Sequence, residues 1–497
     1  GSYASVKDTD PTDSELAAYF NLRDQGPADK VYHVRTFLGA QGQSTTYDVS
    51  GYLKTVLEDS NWDGNTSTVL YSVLDPRVAE INGTGIVTTK REGRTAVYAM
   101  GYDDYSGKVY AVLQLEVHGR FTLSSGEAIT GNAGDGYSAK LAVPMVSAGN
   151  LHSLALKADG SVWGWGSASN TNALGSANGG VLRSPAPIYL RSSNGIYTPL
   201  TGVVMVSAGL NFSLALTANG NVYAWGSNTR GQTGTGDISG RDTVQDPTMV
   251  RGPVTAEGAP ADPNTDANGH LCNIVAIAAG GNHAMALAAD GTVYAWGDGS
   301  YGQLGVKAED LTYSEAGKFY YSGYPVVVKD GNGDALTGIV SIAAGGSISV
   351  ALSAAGKVYT WGDNRRGQLG LNHNPSDGKD NEWFQQSAAG EVNAYKTRNG
   401  SEWNENTGFG GVVAVDAGGA ASNDEHGYGH MMAIAAELNM VDGVRTDTTT
   451  VFGWGQNDRG QVGDNSPQPD SKDEENTYAI LPTEVTYRDS NEYDIRT

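Results

Sequence analysis

Cysteine is almost absent: Cys272 stands alone among 497 residues. No intramolecular disulfide can form, and a zinc site built on several thiolates is excluded. Long apolar runs are also missing, and none approaches the ~20 residues that a membrane-spanning helix needs. Basic charge is scarce. Lysine and arginine number 32 against 55 aspartates and glutamates, a net charge of −23. Such a field repels a phosphate backbone and an anionic membrane surface. Nucleic acid is therefore not expected as a partner, nor is direct membrane insertion of this segment. The chain opens on Gly1-Ser2 without Met. That reads as a cloning scar on a fragment, an expectation under which targeting and anchoring segments lie elsewhere.

What is abundant is glycine. Its 68 residues follow no collagen period and point to many tight turns, as in all-β repeat folds. Apolar residues make up 39%, enough for packed cores, and the length implies more than one structural unit. A eukaryotic secreted protein of this size would usually carry disulfides. A bacterial surface protein need not, so an extracellular or cell-surface bacterial location is expected.

Residues 1–30 are polar, and "SELAAYFNLRD" (14–24) has the pattern of a short helix with Ser14 as its N-cap. Residues 31–118 change to short Val/Tyr/Thr-rich runs between turns, including "YHVRTFLG", "TTYDVSGYL", "STVLYSVL" and "KVYAVLQLEVHG". These read as the strands of a small β-sandwich. Within it, "SVLDPRVAEINGTGIVTTKREGRTAVYAM" (72–100) resembles the core of a group 2 bacterial immunoglobulin-like domain. The resemblance rests on Asp75-Pro76, Val78-Ala79, the Gly83/Gly85 turn, Ile86-Val87 and Gly93-x-Thr95-Ala96. It implies a spacer or adhesive stalk. Residues 119–141 read as a linker.

From 142 to 497 one sentence recurs. "NVYAWGSNTRGQTG" (221–234), "TVYAWGDGSYGQLG" (292–305), "KVYTWGDNRRGQLG" (357–370) and "TVFGWGQNDRGQVG" (450–463) are near-copies, and "SVWGWGSASNTNALG" (161–175) is a damaged one. Each is preceded by an apolar strand ending in Ala-Gly and by an alternating strand, and in four copies a proline-opened segment follows. The units therefore supply about four strands each. Their tryptophans, Trp165, Trp225, Trp296, Trp361 and Trp454, are spaced 60, 71, 65 and 93 apart. Units thus differ chiefly in loop length. A four-stranded sheet cannot bury both faces alone, but several stacked radially can, which is a β-propeller. The tryptophan is the wedge between sheets, and burying it contributes on the order of 3 kcal/mol.

This pattern resembles the regulator-of-chromosome-condensation repeat family, with "HAMALAADGTVYAWGDGSYGQLG" (283–305) close to its consensus. The resemblance implies an all-β propeller, usually of seven blades. Five units are recognisable here, and the sequence leaves open whether the ring closes with fewer.

The repeated polar residues read as structural. His152, His283 and His430 share a repeat position filled elsewhere by Phe212 and Ile348, which no shared catalytic or metal role tolerates. Arg230, Arg366 and Arg459 recur before Gly-Gln and are expected to pack or to hydrogen-bond carbonyls within the turn. No nucleophile elbow, His-Glu-x-x-His or phosphate loop occurs, so no catalytic residue is assigned. Asp330-x-Asn332-x-Asp334 opens like a calcium loop, but Ala335 and Ser341 break the pattern. A polar inter-strand turn is the favoured reading, with a looser calcium site as its alternative. Cys272 is expected to be a small buried hydrophobe.

Function on repeat scaffolds is carried by variable loops. Two insertions concentrate aromatics among polar residues: Tyr313, Phe319, Tyr320, Tyr321 and Tyr324 within 306–329, and Trp383, Phe384, Tyr395, Trp403 and Phe409 within 371–411. Aromatics so placed serve as interface anchors or carbohydrate platforms; otherwise they pack loops onto the ring. The leading expectation is a secreted or surface adhesion protein recognising a host or neighbouring-cell protein, with a glycan as the second ligand class. A polysaccharide-active propeller enzyme, a structural surface-layer component and a guanine-nucleotide exchange propeller are the alternatives.

Overall fold

The computed structural model describes residues 31–38, 44–60, 62, 69–103, 107–119, 142–168, 171–236, 238, 242–253, 262–372, 385–399, 402–419, 429–441, 444–464 and 478–485. The helix expected at 14–24 and almost all of the expected linker lie outside them.

The N-terminal unit contains β1 (His33–Phe37), β2 (Thr46–Asp48), α1 (Ser50–Asp59), β3 (Leu70–Val73), β4 (Ala79–Ile81), β5 (Ile86–Thr89), β6 (Gly93–Asp103) and β7 (Gly107–His118). Its sheets run β1-β7-β6-β3 and β2-β5-β4, with β1 parallel to β7. "TTYDVSGYL" is only half strand. After Asp48, whose Oδ1 accepts the Ser50 amide, the chain turns into α1. Leu53, Val56 and Leu57, at helical spacing, are the buried residues of that helix.

Five four-strand units follow. Blade one holds β8 (Met145–Ala148), β9 (His152–Leu156), β10 (Val162–Ser167) and β11 (Val181–Pro187), with the small hairpin β12 (Tyr189–Arg191) and β13 (Tyr197–Pro199) after it. Blade two holds β14 (Val203–Ala208), β15 (Phe212–Thr217), β16 (Val222–Ser227) and β17 (Thr243–Met249). Blade three holds β18 (Ile274–Ala279), β19 (His283–Ala288), β20 (Val293–Asp298), β21 (Thr312–Ser314) and β22 (Phe319–Val327). Blade four holds β23 (Ile339–Gly345), β24 (Ile348–Ser353), β25 (Val358–Asp363) and β26 (Gln385–Glu391). The next hairpin, β27 (Ala394–Asn399) and β28 (Glu402–Thr407), joins blade five. Blade five proper has β29 (Val412–Gly418), β30 (His430–Glu437), β33 (Thr448–Gln456) and β34 (Tyr478–Glu484), with the short pair β31 (Met440–Val441) and β32 (Val444–Arg445) between β30 and β33. Its sheet order is β28-β27-β34-β33-β30-β29.

Successive blades are tied by a run of backbone bonds at the turn after Ala-Gly. The amide of Asn150 donates to Leu210, Leu210 to Gly281, Gly281 to Gly346 and Gly346 to Gly419, at 2.8–3.2 Å. The run links all five blades in order. The outer faces of blades one and five, however, are not matched. Val146 of blade one is 75% exposed, whereas its repeat equivalents Val206, Ile277 and Ile342 are 1%, 5% and 9% exposed. Trp165 is half-buried while Trp225, Trp296, Trp361 and Trp454 are fully buried. On blade five, His430, Met432 and Ile434 are half-buried, whereas His283, Met285 and Leu287 of blade three are fully buried. The described blades therefore form an arc with a seam between its ends.

The N-terminal unit sits beneath the arc and shares a hydrophobic core with blades four and five. Its docking follows a backbone irregularity. Each inner strand of blades two to five has a register shift at its second residue, at Val204, Val275, Val340 and Val413. A bulge leaves that peptide outside the ladder. Arg94 donates to the Val204 carbonyl at 2.7 Å, Arg35 to that of Val275 at 3.4 Å, and the His33 ring bonds the Val340 backbone. Glu116 holds both guanidiniums, at 2.9 Å from Arg35 Nε and 2.5 Å from Arg94. Burial alone would push the Glu116 carboxyl up, but Arg94, His118 and Arg35 outweigh it and hold it well below the usual carboxylate range.

Candidate binding face

The repeated sentence works between blades. The indole N–H of Trp225 donates to the Ala173 carbonyl of blade one at 2.8 Å. Trp296 donates to Gln232 and Trp361 to Gln303, each at 3.0 Å. For Trp296 and Trp361 the accepting carbonyl belongs to the Gly-Gln turn of the preceding blade, and Ala173 holds the same place in the damaged first copy. That glutamine's own Oε1 accepts a turn amide, from Arg230, Tyr301, Arg366 or Arg459. His152 and His283 are structural, as expected: each bonds a serine of the next blade, Ser213 and Ser349, at 2.9 Å. Burial lowers the pKa of both rings to about 4. Of the two roles expected for Arg230, packing holds, and it acts across blades: its guanidinium lies 3.9 Å over the Phe319 ring and 3.7 Å from Asp298, both in blade three.

Strand direction gives the arc two faces. The starts of the inner strands and the β24–β25 turn meet the N-terminal unit, where the Val112 amide donates to Ala354 at 2.7 Å. The linked turns after Ala-Gly and the Gly-Gln turns lie at the opposite ends of the same strands. At that end of blade three the 306–329 insertion forms the hairpin β21–β22, which widens the sheet to five strands. Tyr313 and Tyr320 are cross-strand partners with ring centroids 4.9 Å apart, 43% and 37% exposed. Phe319 and Tyr321 point the other way and are buried, with rings 5.7 Å apart. Tyr324 packs at Gly236 of blade two. The alternation of the strand thus separates exposed Tyr320, with its partner Tyr313, from the anchors Phe319 and Tyr321, while Tyr324, at the register shift of β22, is half-buried.

The second insertion behaves differently. Tyr395 on β27 and Phe409 before β29 lie 5.5 Å apart, and Phe452 and Trp454 complete their cluster at 5.2 and 6.3 Å from Phe409. These rings hold the added hairpin to blade five, away from β21–β22. Trp383 and Phe384 lie outside the described residues, and so does the side chain of Trp403, which falls on β28. Phe452, the phenylalanine that replaces tyrosine in the fifth repeat sentence, belongs with this cluster, and that substitution was its only trace in the sequence.

Asp330, Asn332 and Asp334 form a polar turn in which Asp330 Oδ1 accepts the amides of Asn332 and Asp334 at 2.9 and 3.0 Å. Among the described residues no three His, Cys, Asp or Glu side chains cluster as metal ligands. Cys272 is half-buried, and burial followed by Asp266 and Asp262 pushes its thiol up to about 11. No described helix is long and apolar enough to cross a membrane.

Four-stranded sheets joined through tryptophan and glutamine-turn contacts define a blade-repeat protein. The family model of the RCC1-like domain matches residues 96–422, and the chain belongs to that family. It is 33% identical over 239 residues to the probable E3 ubiquitin-protein ligase HERC6 of Homo sapiens, covering 47% of this chain and 20% of that protein. It is 28% identical over 251 residues to the ultraviolet-B receptor UVR8 of Arabidopsis thaliana, covering 43% and 50%. The chain spans half the length or less of these curated relatives. Among solved structures it resembles Prp20p from Saccharomyces cerevisiae, with 17% identity, a TM-score of 0.45 and coverage of 81% and 77%. That protein's structure was described together with its binding to Gsp1p and histones.

Proposed function

We propose that this chain is a protein-binding module whose recognition surface is the face turned away from the N-terminal unit. The Tyr313–Tyr320 pair is the observation that carries the reading. Two large amphipathic rings stand exposed on a hairpin that rigid packing holds in place, through Phe319, Tyr321 and the Arg230 guanidinium behind them. Preorganised aromatics of this kind bind with little loss of side-chain entropy. The opposite face is closed by its own N-terminal unit, which leaves this face for a partner. His152, His283, Trp225, Trp296 and Trp361 are engaged in joints between blades, and no residue among them is assigned to catalysis.

The likeness of residues 72–100 to a group 2 bacterial immunoglobulin-like domain and the lack of disulfides support an exported bacterial adhesin that meets a host or neighbouring-cell protein. The curated relatives named above are eukaryotic. The test is an array of purified extracellular-matrix and cell-surface proteins probed with the whole chain and with its Tyr313→Ser/Tyr320→Ser variant. The expected result is a ligand whose affinity falls at least tenfold in the variant at unchanged melting temperature. A ligand bound equally well by both proteins overturns the assignment of the face.

A further inference from the structure

Two adjacent positions at the start of each second strand set the joint between blades. The first is His152, Phe212, His283, Ile348 and His430 in blades one to five, and the second is Ser153, Ser213, Ala284, Ser349 and Met431. The first residue of one blade meets the second residue of the next. His152 bonds Ser213 and His283 bonds Ser349, each at 2.9 Å, while Phe212 shares a core with Ala284 and Ile348 with Met431. Histidine faces serine, and apolar faces apolar, at all four joints of the arc. The two residues left over are His430 on blade five and Ser153 on blade one, which are the two halves of a fifth pair. Ser213 Oγ donates to the Ala173 carbonyl and Ser349 Oγ to that of Gln303, so the histidine Nε2 supplies the proton to the serine.

The end faces match in three further respects among the described residues. The Trp165 indole N–H of blade one has no acceptor, and the Gln461 carbonyl of blade five, counterpart of Gln303, has no donor. Ser147 Oγ accepts the Ala208 amide of the next blade and Ser207 Oγ that of Ala279, each at 3.0 Å. Blade five holds Asp416 in that place, an exposed carboxylate with one oxygen on the Ala417 amide, and its counterpart donor is Ala148 of blade one. The run of backbone bonds from Asn150 to Gly419 leaves the Asn150 carbonyl and the Gly419 amide as its unused ends.

We infer that blade five takes blade one of a second copy of this chain, which completes the fifth joint head to tail. A second copy fits because its face is the kind this chain already stacks four times. The same chain's blade one is held away, since the N-terminal unit grips every blade. Arg94 reaches Met145 Sδ at 3.8 Å and the Val204 carbonyl, Arg35 reaches that of Val275, His33 bonds Val340, and blades four and five share the unit's core. Glu116 locks Arg35 and Arg94 together, so bending the arc shut would break this brace. In the joined copies His430 donates to Ser153, and Ser153 and Trp165 donate to the Gln461 carbonyl. Val146, 75% exposed in the single chain, becomes buried with Trp165, and that burial drives association. The net charge of −23 on each copy opposes it, so salt strengthens the contact.

Sedimentation velocity on the intact chain, from micromolar to hundreds of micromolar and at physiological and raised salt, tests this. The weight-average mass is expected to rise with concentration, and more steeply at raised salt. Trp165→Ala should abolish association. His430→Phe and Ser153→Ala should each weaken it several-fold, and the double variant His430→Phe/Ser153→Ala, which copies the Phe212–Ala284 joint, should recover it. Tyr313→Ser/Tyr320→Ser should associate like wild type, which separates this contact from the proposed recognition face. A monomer at every concentration overturns the inference. If the single variants also lower that monomer's melting temperature and the double variant restores it, the joint closes within one chain instead. Association that persists in Trp165→Ala, is unchanged in both single variants or is not recovered in the double variant overturns it as well.

Discussion

Trp361 donates its indole N–H to the backbone carbonyl of Gln303 in the preceding blade, 3.0 Å away. The same oxygen accepts the hydroxyl of Ser349, also at 3.0 Å, and Ser349 in turn meets His283. One carbonyl thus gathers three repeat positions from two sheets. The joint between blades one and two gathers His152, Ser213 and Trp225 in the same way on the Ala173 carbonyl, whereas between blades two and three only Trp296 and the Gln232 carbonyl remain, with Phe212 and Ala284 at the other two places.

Trp225, Trp296 and Trp361 each bond the preceding blade through the indole N–H, whereas Trp165 at the start of the arc is half-buried, so equivalent tryptophans differ in worth. Trp296→Ala should cost about 3–5 kcal/mol, the range for a fully buried aromatic. Trp165→Ala, at the open seam, should cost less than half of that. Urea unfolding of the two variants measures both, and equal losses would mean that the seam is closed in solution.

Docking of the N-terminal unit depends on Glu116. Glu116→Gln leaves Arg35 and Arg94 without their countercharge in a buried setting and should cost about 3–5 kcal/mol. Wild-type protein should unfold in a single calorimetric transition, because the unit shares a core with blades four and five. Two separate wild-type transitions would contradict this.

Acid should weaken the fold through its histidines. Burial places His152 and His283 at about 4 and His33 at about 3, the last with help from Arg35. Their ordinary value is near 6.5. Between these limits the unfolded chain binds more protons than the folded one, so stability falls as pH drops from about 6.5 toward 4. The Glu116 carboxyl, held well below its ordinary value of 4.5, stays ionised in the folded protein while the unfolded chain takes up its proton, so it adds to the loss in the lower part of that window. Melting temperatures at pH 7, 5.5 and 4.5 should decline in order, and Ser349→Ala should not remove the decline.

Two glycines separate backbone need from composition. Gly305 has φ +67°, and a Cβ there would lie 2.6 Å from Val328 Cγ1 and 3.1 Å from Trp361 Nε1. Gly305→Ala should therefore destabilise by about 1–3 kcal/mol. Gly331 faces open space in the Asp330 turn, and Gly331→Ala should stay within about 0.5 kcal/mol of wild type. Chemical denaturation of the pair gives the comparison.

Much of this architecture is local and was therefore legible. Alternation, the Asp-Gly and Asn-Gly pairs at 159–160, 219–220 and 290–291, and the five Trp-Gly positions specify strands, turns and an inter-sheet wedge within a few residues of chain, and the structural reading of His152 and His283 followed from their replacement by Phe212 and Ile348. Helix α1 escaped notice because Leu53, Val56 and Leu57 follow a strand without a break in composition. Along 306–329 the aromatics could be counted but not sorted, since facing outward at Tyr313 and Tyr320 or inward at Phe319 and Tyr321 depends on hairpin register.

Other features exist only in three dimensions. The bulge carbonyls of Val204 and Val275 become acceptors only when inner strands slip register against their neighbours, and Arg94 and Arg35 reach them from more than a hundred residues away. The open seam is likewise a property of curvature, the angle accumulated over five packed sheets, which no single repeat encodes. By itself the sequence determined the blade and the joint, because both are set by short-range pattern and side-chain size. The tertiary structure alone decided which face the N-terminal unit covers, which aromatics remain exposed and which blade faces stand without a neighbour, because those follow from the packing of distant segments against one another.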